Sequence, residues 1–368
     1  MTAFEELLTW RESSTSGDAI AAALDVVERA PAAALEALGS ADRIVVTGAG
    51  SSYYLAQAVA AAARESLGRP VIAAPLSELI LRPDGVLVSR DALAQERETG
   101  RARSVREPAL EPVVIISRSG STSEAVSVAE RMRMTGHPTV AVTCRGESPL
   151  AALADVTLVS PAGDEAAIVM TRSFASMLAL LLAVVARVAG NGELSADLRR
   201  LPARWGEARF AAELGRRLGA RDWSRVVILG GGPAIGIAAE WGLKLIETSQ
   251  VPTSAYEPLE FRHGPISVCE PGVLVVGLLG GAGVADEIAV LEESAQLGAT
   301  TWLIARDEDE ARGTTGGVSL IGGGLHPVAR LPLLLHPGHA LALSLAITRG
   351  RDPDAPRHIG QVVILGAE

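Results

Sequence analysis

The run Arg43-Ile-Val-Val-Thr47, followed at once by Gly48-Ala-Gly-Ser-Ser52 and an alanine-rich stretch, decides the fold. A β-branched run, a glycine turn and a helix in that order are the grammar of a parallel sheet. Residues 71–74, 113–116 and 139–143 supply further short β-branched runs with helical spacing between them. Arg225-Val-Val-Ile-Leu229 repeats the pattern and leads into Gly230-Gly-Gly-Pro-Ala-Ile-Gly236. Placing Arg43 on Arg225 also places Gly48 on Gly230, Gly50 on Gly232 and Ala56 on Ala238, an offset of 182 residues. The reading is an α/β chain of two similar units in tandem. The matched run is short and made of common residues, so the order of the strands is its test. Residues 273–279, 301–304 and 328–331 are read as later strands of the second unit. Residues 18–38, interrupted by Pro31, read as helices bracing the first unit, and the mixed-charge stretch 84–108 as a solvated insertion without a site. The boundary between the units is placed near residues 190–222.

The chain has 368 residues, 33 basic and 43 acidic, for a formal charge of −10. Apolar content of 48% is ample for a core, and the length suits two ordinary domains. The negative charge argues against a nucleic-acid partner. Cys144 and Cys269 have neither metal-type nor disulfide spacing. The longest charge-free apolar run, residues 174–186, is short for a bilayer and reads as a buried helix. The N-terminus has no signal-peptide pattern, so a cytoplasmic protein with no membrane partner is expected. Lys244 is the only lysine, so the other 32 basic residues are arginine. Lys244 is then either a chance survivor or a position that needs an amine of tunable pKa.

Three stretches carry candidate chemistry. In Ser117-Arg-Ser-Gly-Ser-Thr-Ser123, five hydroxyl residues lie within seven positions between a strand and a helix. One hydroxyl suffices to cap a helix, whereas several beside free N–H groups suit an anion. The glycine turns at 48–52 and 230–236 miss the dinucleotide spacing, with Tyr53 where the final glycine would stand, and neither is a Walker loop. Small residues there still let a ligand approach the carboxyl edge of a sheet. Glu240, Lys244 and Glu247 fall at i, i+4 and i+7 of a helix. Alone, that spacing is a surface salt-bridge ladder. The segment Glu260-Phe-Arg-His-Gly-Pro265 follows, and a carboxylate with an imidazole is a natural pair for moving protons on a sugar. His137, His326, His336 and His339 belong to no motif and read as structural.

Taken together, these segments resemble a tandem sugar-isomerase (SIS) domain protein, as in the isomerase domain of glutamine–fructose-6-phosphate amidotransferase and stand-alone phosphosugar isomerases, deaminases and deglycases. The matching pieces are the Ser117–Thr122 turn, Glu240-x-x-x-Lys244-x-x-Glu247, Glu260-x-x-His263-Gly-Pro, Glu165 with Thr171-Arg172-x-Phe174, and Asp352-Pro-Asp-x-x-Arg357. The resemblance implies two flavodoxin-like parallel sheets flanked by helices. Residues 1–40 would form a helical arm, 41–190 and 191–345 the two domains, and 346–368 a tail closing the site. It implies that Ser117, Arg118, Ser119, Thr122, Ser52, Ile168 and Gln361 bind substrate and phosphate. Glu247 would be the base moving a proton between C1 and C2, a task suited to a carboxylate raised by burial. Lys244 would position and tune it, a nucleophilic role being the alternative, with Glu240 and Arg357 in support. His263 would assist ring opening from the neighbouring subunit, which implies a homodimer. No metal or other cofactor is implied.

Departures narrow the activity. Gln361 stands where the family has a lysine used in imine chemistry, and Met170 where a small hydroxyl residue is frequent. Thr2 follows Met1 where the amidotransferase has its cysteine, and no glutaminase domain is read, so ammonia is not expected in cis. The expected activity is that of an amino-sugar-6-phosphate deaminase/isomerase. The alternatives are a phosphofructosyl-amine deglycase and a non-catalytic phosphosugar sensor, the latter without a basic recognition helix in residues 1–40.

Overall fold

A computed structural model describes residues 4–88, 110–280 and 283–364. Two five-stranded parallel sheets form its frame. The first contains β1 (Ile44–Gly48), β2 (Val71–Pro75), β3 (Val113–Ile116), β4 (Thr139–Thr143) and β5 (Val156–Val159), in the order β2-β1-β3-β4-β5. The second contains β6 (Arg225–Gly230), β7 (Thr253–Tyr256), β8 (Val273–Leu278), β9 (Thr300–Ala305) and β10 (Gly317–Leu320), in the order β7-β6-β8-β9-β10. Both are the same doubly wound order, with a switch point beside the first strand of each unit. Strands β1, β3, β4 and β8 are buried throughout, as continuous β-branched runs are when helices cover both faces of a sheet.

The repeat holds in detail. Helix α4 (Ser51–Leu67) and its counterpart Ala234–Ser249 follow β1 and β6 at the 182-residue offset, and β2 and β7 begin at the same offset. Gly50 and Gly232 both take left-handed backbone, with φ of 54° and 53°. A Cβ on Gly48 would lie 2.5 Å from the carbonyl carbon of Ser52, and one on Gly230 2.5 Å from the carbonyl oxygen of Ala234. The glycines let each helix turn back tightly onto its strand.

Three short helices open the chain: α1 (Leu8–Ser14), α2 (Ser16–Glu28) and α3 (Ala32–Ser40), with Pro31 between the last two. Helix α5 (Ser123–Thr135) follows β3. Helix α6 (Arg172–Ala189) is buried against α2, α3 and α4, in keeping with the reading of its apolar run as a core helix. Each fully buried Leu, Val or Phe there contributes about 1.5–3 kcal/mol. Helix α7 (Gly192–Gly219) starts at Asn191, whose side chain accepts the N–H of Leu194 at 2.9 Å. Helices α8 (Ala234–Ser249), α9 (Val284–Gln296) and α10 (Leu335–Thr348) complete the second unit. The segments Arg172–Ala189 and Leu331–Thr348 are long and apolar enough to cross a membrane, and both are mostly buried inside the fold.

The structure corrects some strand readings. Residues 328–331 form no strand; the chain turns there and enters a short 3₁₀ helix, Leu331–Leu334. Strands β5, β7 and β10 were not anticipated. All three lie at sheet edges and are largely half-buried, so their sequences lack a continuous apolar run. Most of the 84–108 insertion lies outside the described residues. Two of the unassigned histidines, His336 and His339, are buried between helices. Ser13 Oγ lies 2.8 Å from His336 Nδ1 and 2.7 Å from His339 Nδ1, tying α1 to α10, and burial pushes the His336 imidazole down to about 3.

Candidate active site

Helix α8 carries Glu240, Lys244 and Glu247 along one face, and that face looks inward. Glu240 is fully buried, Lys244 is 2% exposed, and the Glu247 side chain keeps 19% exposure. Lys244 Nζ lies 2.5 Å from Glu247 Oε2 and 3.4 Å from Glu240 Oε1. It also donates to Ser51 Oγ at 3.1 Å, the first residue of α4 in the other domain. This is not the surface ladder that the spacing alone allows. The only lysine of the chain is a buried cation joining two domains.

The electrostatics follow from that placement. Burial lifts the Glu240 carboxyl to about 8, against the opposing pull of Lys244. Burial also works against the Lys244 charge, but Glu240 and Glu247 outweigh it and hold the ammonium above its ordinary value. Glu240 is the deeper of the two carboxylates, about two helical turns before Glu247. Tyr54, on α4, is raised by burial and then by Glu240, so its phenol belongs to the same cluster. Ser51 and Tyr54 were missed in the sequence. Their signal was adjacency to Ser52 at the start of an Ala-rich helix.

The hydroxyl loop sits between β3 and α5. Gly120 takes φ +61°, and its N–H donates to Ser117 Oγ at 3.2 Å. Ser121 N–H donates to Ser119 Oγ at 3.2 Å, and Ser117 Oγ lies 3.5 Å from Thr122 Oγ1. Thr122 is the N-cap residue of α5 yet makes no side-chain cap bond, so capping does not explain the hydroxyls. The Ser123 N–H donates to the carbonyl of Val363 at 3.2 Å, which lays the C-terminal tail over this helix start. Ser52 is buried beside Met170, its Oγ 3.9 Å from the thioether sulfur.

Other residues named from the sequence hold the frame. The Arg118 guanidinium donates to the carbonyls of Ala167 (3.1 Å), Ile168 (3.3 Å) and Gln361 (3.0 Å). The Gln361 amide donates to the carbonyls of Glu165 (3.3 Å), Ala166 (2.6 Å) and Ala167 (3.1 Å). Arg118, Ile168 and Gln361 are thus brought together as a knot fastening the tail to the 165–168 loop. Ile168 and Gln361 also line an open cleft of about 480 Å³ with Arg145 and Arg172. Glu12 accepts the N–H groups of Ala166 and Ala167, both at 2.8 Å, so the N-terminal arm grips the same loop. Buried Glu165 accepts the N–H groups of Thr171 (3.0 Å) and Arg172 (3.0 Å) at the start of α6. His263 and Arg357 are exposed. Among the described residues, no hydrogen bond or ion pair joins His263 to the α8 cluster. Arg357 Nη2 lies 3.5 Å from His358 Nε2.

The SIS domain family model matches residues 109–187 and 220–312, one stretch in each unit. The chain is a tandem SIS-domain protein. Among its curated relatives, the glutamine–fructose-6-phosphate aminotransferase (isomerizing) of Aeropyrum pernix is 28% identical, over 89% of this chain and 52% of the relative. The SIS-domain protein thus spans about half the length of the curated relatives it matches. Among solved structures, glucosamine-6-phosphate deaminase from Thermotoga maritima is 26% identical with a TM-score of 0.73, covering 97% of this chain and 99% of that one. Tagatose-6-phosphate ketose/aldose isomerase from Escherichia coli shares the fold, at 23% identity and a TM-score of 0.79, covering 96% and 97% of the two chains.

Proposed function

We propose that this SIS-domain protein is a cytoplasmic aldose–ketose isomerase/deaminase acting on an amino-sugar 6-phosphate. The observation that carries the reading is the bonding of Lys244 to both Glu247 and Ser51. It sets a partly exposed carboxylate at the carboxyl edge of the first sheet, the edge that also carries the hydroxyl loop. A phosphate in that loop meets the Ser117, Ser119 and Thr122 hydroxyls together with backbone N–H groups, which needs no lysine. Glu247 removes the proton at one of C1 and C2 and returns it at the other, and Lys244 orients it. Ser52 lies at the sugar. The exposed His263 assists ring opening in the site of a second subunit, so the active form is a homodimer. The likeness to glucosamine-6-phosphate deaminase over nearly the whole chain supports the amino-sugar assignment.

The test assays hexose 6-phosphates and their 2-amino and N-fructosyl forms, with ammonia and isomer products measured together. The expected result is ammonia and ketose phosphate from the 2-amino form. Glu247→Gln keeps phosphosugar binding and loses turnover by about 10²–10⁴-fold. Undiminished turnover in that variant overturns the assignment, and binding without proton exchange at C1 or C2 makes the protein a sensor.

A further inference from the structure

A proton pulled from carbon leaves negative charge on oxygen. When Glu247 takes the proton at C2 of an open-chain sugar phosphate, the C–H electron pair becomes a C1=C2 bond and the carbonyl pair moves onto O1. A fixed hydrogen-bond donor at that oxygen is worth several kcal/mol to such a step. The donors around Glu247 are mostly spent on the protein itself. An ammonium has three N–H groups, and Lys244 Nζ has three acceptors about it: Glu247 Oε2 at 2.5 Å, Ser51 Oγ at 3.1 Å and Glu240 Oε1 at 3.4 Å. The Gln361 amide serves the carbonyls of Glu165, Ala166 and Ala167. The Ser52 hydroxyl is turned to the Met170 sulfur.

Tyr54 is the exception. It stands at i+3 from Ser51 on α4, so the two share the face that meets α8, whereas Tyr53 at i+2 lies on another flank. The approach there is close: a Cβ on Gly236 of α8 would stand 2.4 Å from the Tyr54 carbonyl oxygen. Glu240 and Lys244 follow Gly236 at successive turns of the same helix. The Tyr54 ring is fixed by packing on the core and against Tyr53, with centroids 5.9 Å apart. Its hydroxyl makes no hydrogen bond among the described residues, and the side chain is half-buried rather than sealed. Burial raises the phenol, and the charges of Glu240 and Glu247 add to this against Lys244. The phenol therefore keeps its proton at neutral pH and stays a donor.

We propose that Tyr54 is a catalytic residue: its phenol O–H donates to the sugar oxygen that becomes negative as Glu247 takes the proton from carbon. Tyr54 keeps its own proton and supplies a hydrogen bond, so the proton taken from carbon is carried by Glu247 alone. The role rests on the isomerase/deaminase reading.

The test compares the full-length protein with Tyr54→Phe on the panel of sugar phosphates. The hydroxyl serves no protein group, so the thermal midpoint should not fall. On the substrate that the wild type turns over, kcat should drop by about 10²–10³-fold with KM within about threefold. Calorimetric titration separates a donor from a merely structural residue. An aldonohydroxamic acid 5-phosphate, whose planar anion imitates the charged intermediate, should bind Tyr54→Phe about tenfold or more weakly than the wild type. A hexitol 6-phosphate, which has no such anion, should bind both equally. Wild-type turnover that is undiminished in Tyr54→Phe overturns this role alone, and so does an equal loss of affinity for the hydroxamate and the hexitol phosphate. A wild type that turns over no member of the panel overturns the isomerase/deaminase reading and this role with it.

Discussion

Lys244 of the second domain donates to Ser51 of the first across 3.1 Å, and the bond lies wholly in the interior. A buried ammonium is stable only if its partners are in place, so the position cannot drift as a surface basic residue can. This accounts for a lone lysine among arginines: Glu240, Glu247 and Ser51 converge on one compact ammonium, whereas a guanidinium is planar and spreads its donors over a fork.

Lys244→Met should therefore lower unfolding free energy by about 3–5 kcal/mol, because it strands Glu240 and half-strands Glu247. Urea denaturation measures it. Lys244→Arg should not restore stability. With the ammonium held protonated by its neighbours, borohydride in the presence of sugar phosphate should trap no adduct; a trapped adduct would give Lys244 a nucleophilic role.

Glu240 makes stability depend on pH. Its carboxyl is lifted from an ordinary 4.5 to about 8, so between those values the folded state holds a proton that the unfolded chain releases. The contribution is complete below the unfolded value and is lost as pH rises through the folded one. Stability should fall across that window by up to about 1.4 kcal/mol per pH unit. Glu240→Gln should flatten the curve, and urea midpoints at three pH values distinguish the two.

Two glycines should respond with opposite signs. A Cβ on Gly236 would strike the carbonyl of Tyr54 and stand 2.5 Å from Ala58 N, where α4 and α8 touch backbone to backbone. Gly236→Ala should cost about 1–3 kcal/mol. Gly206, exposed in α7, has open space around it, and Gly206→Ala should stabilise by about 0.4–1 kcal/mol. Thermal unfolding of both variants checks the pair.

The C-terminal signature should prove to be a helix cap as much as a site element. Asp354 accepts the N–H groups of Leu8 (2.7 Å) and Thr9 (2.9 Å) and the Thr9 hydroxyl (2.6 Å) at the start of α1. Asp354→Ala should cost about 0.5–2 kcal/mol. It should also speed proteolysis of the N-terminal arm, measured by limited digestion.

The sequence by itself determined the class of fold, the tandem repeat and the rows of chemistry-bearing residues. Continuous β-branched runs need a sheet covered on both faces, and a 3.6-residue period sets Glu240, Lys244 and Glu247 on one helix face. Periodicity does not say what stands opposite that face. Only the packing of α8 on α4 decided that the row looks inward and that Ser51 completes it. Only the fold decided that Arg118 and Gln361 spend their donors on the carbonyls of the 165–168 loop, because those partners lie 49 and about 195 residues away. The edge strands β5, β7 and β10 escaped notice for the same reason. A half-buried strand takes its identity from the neighbour it pairs with, and that neighbour is set by tertiary structure.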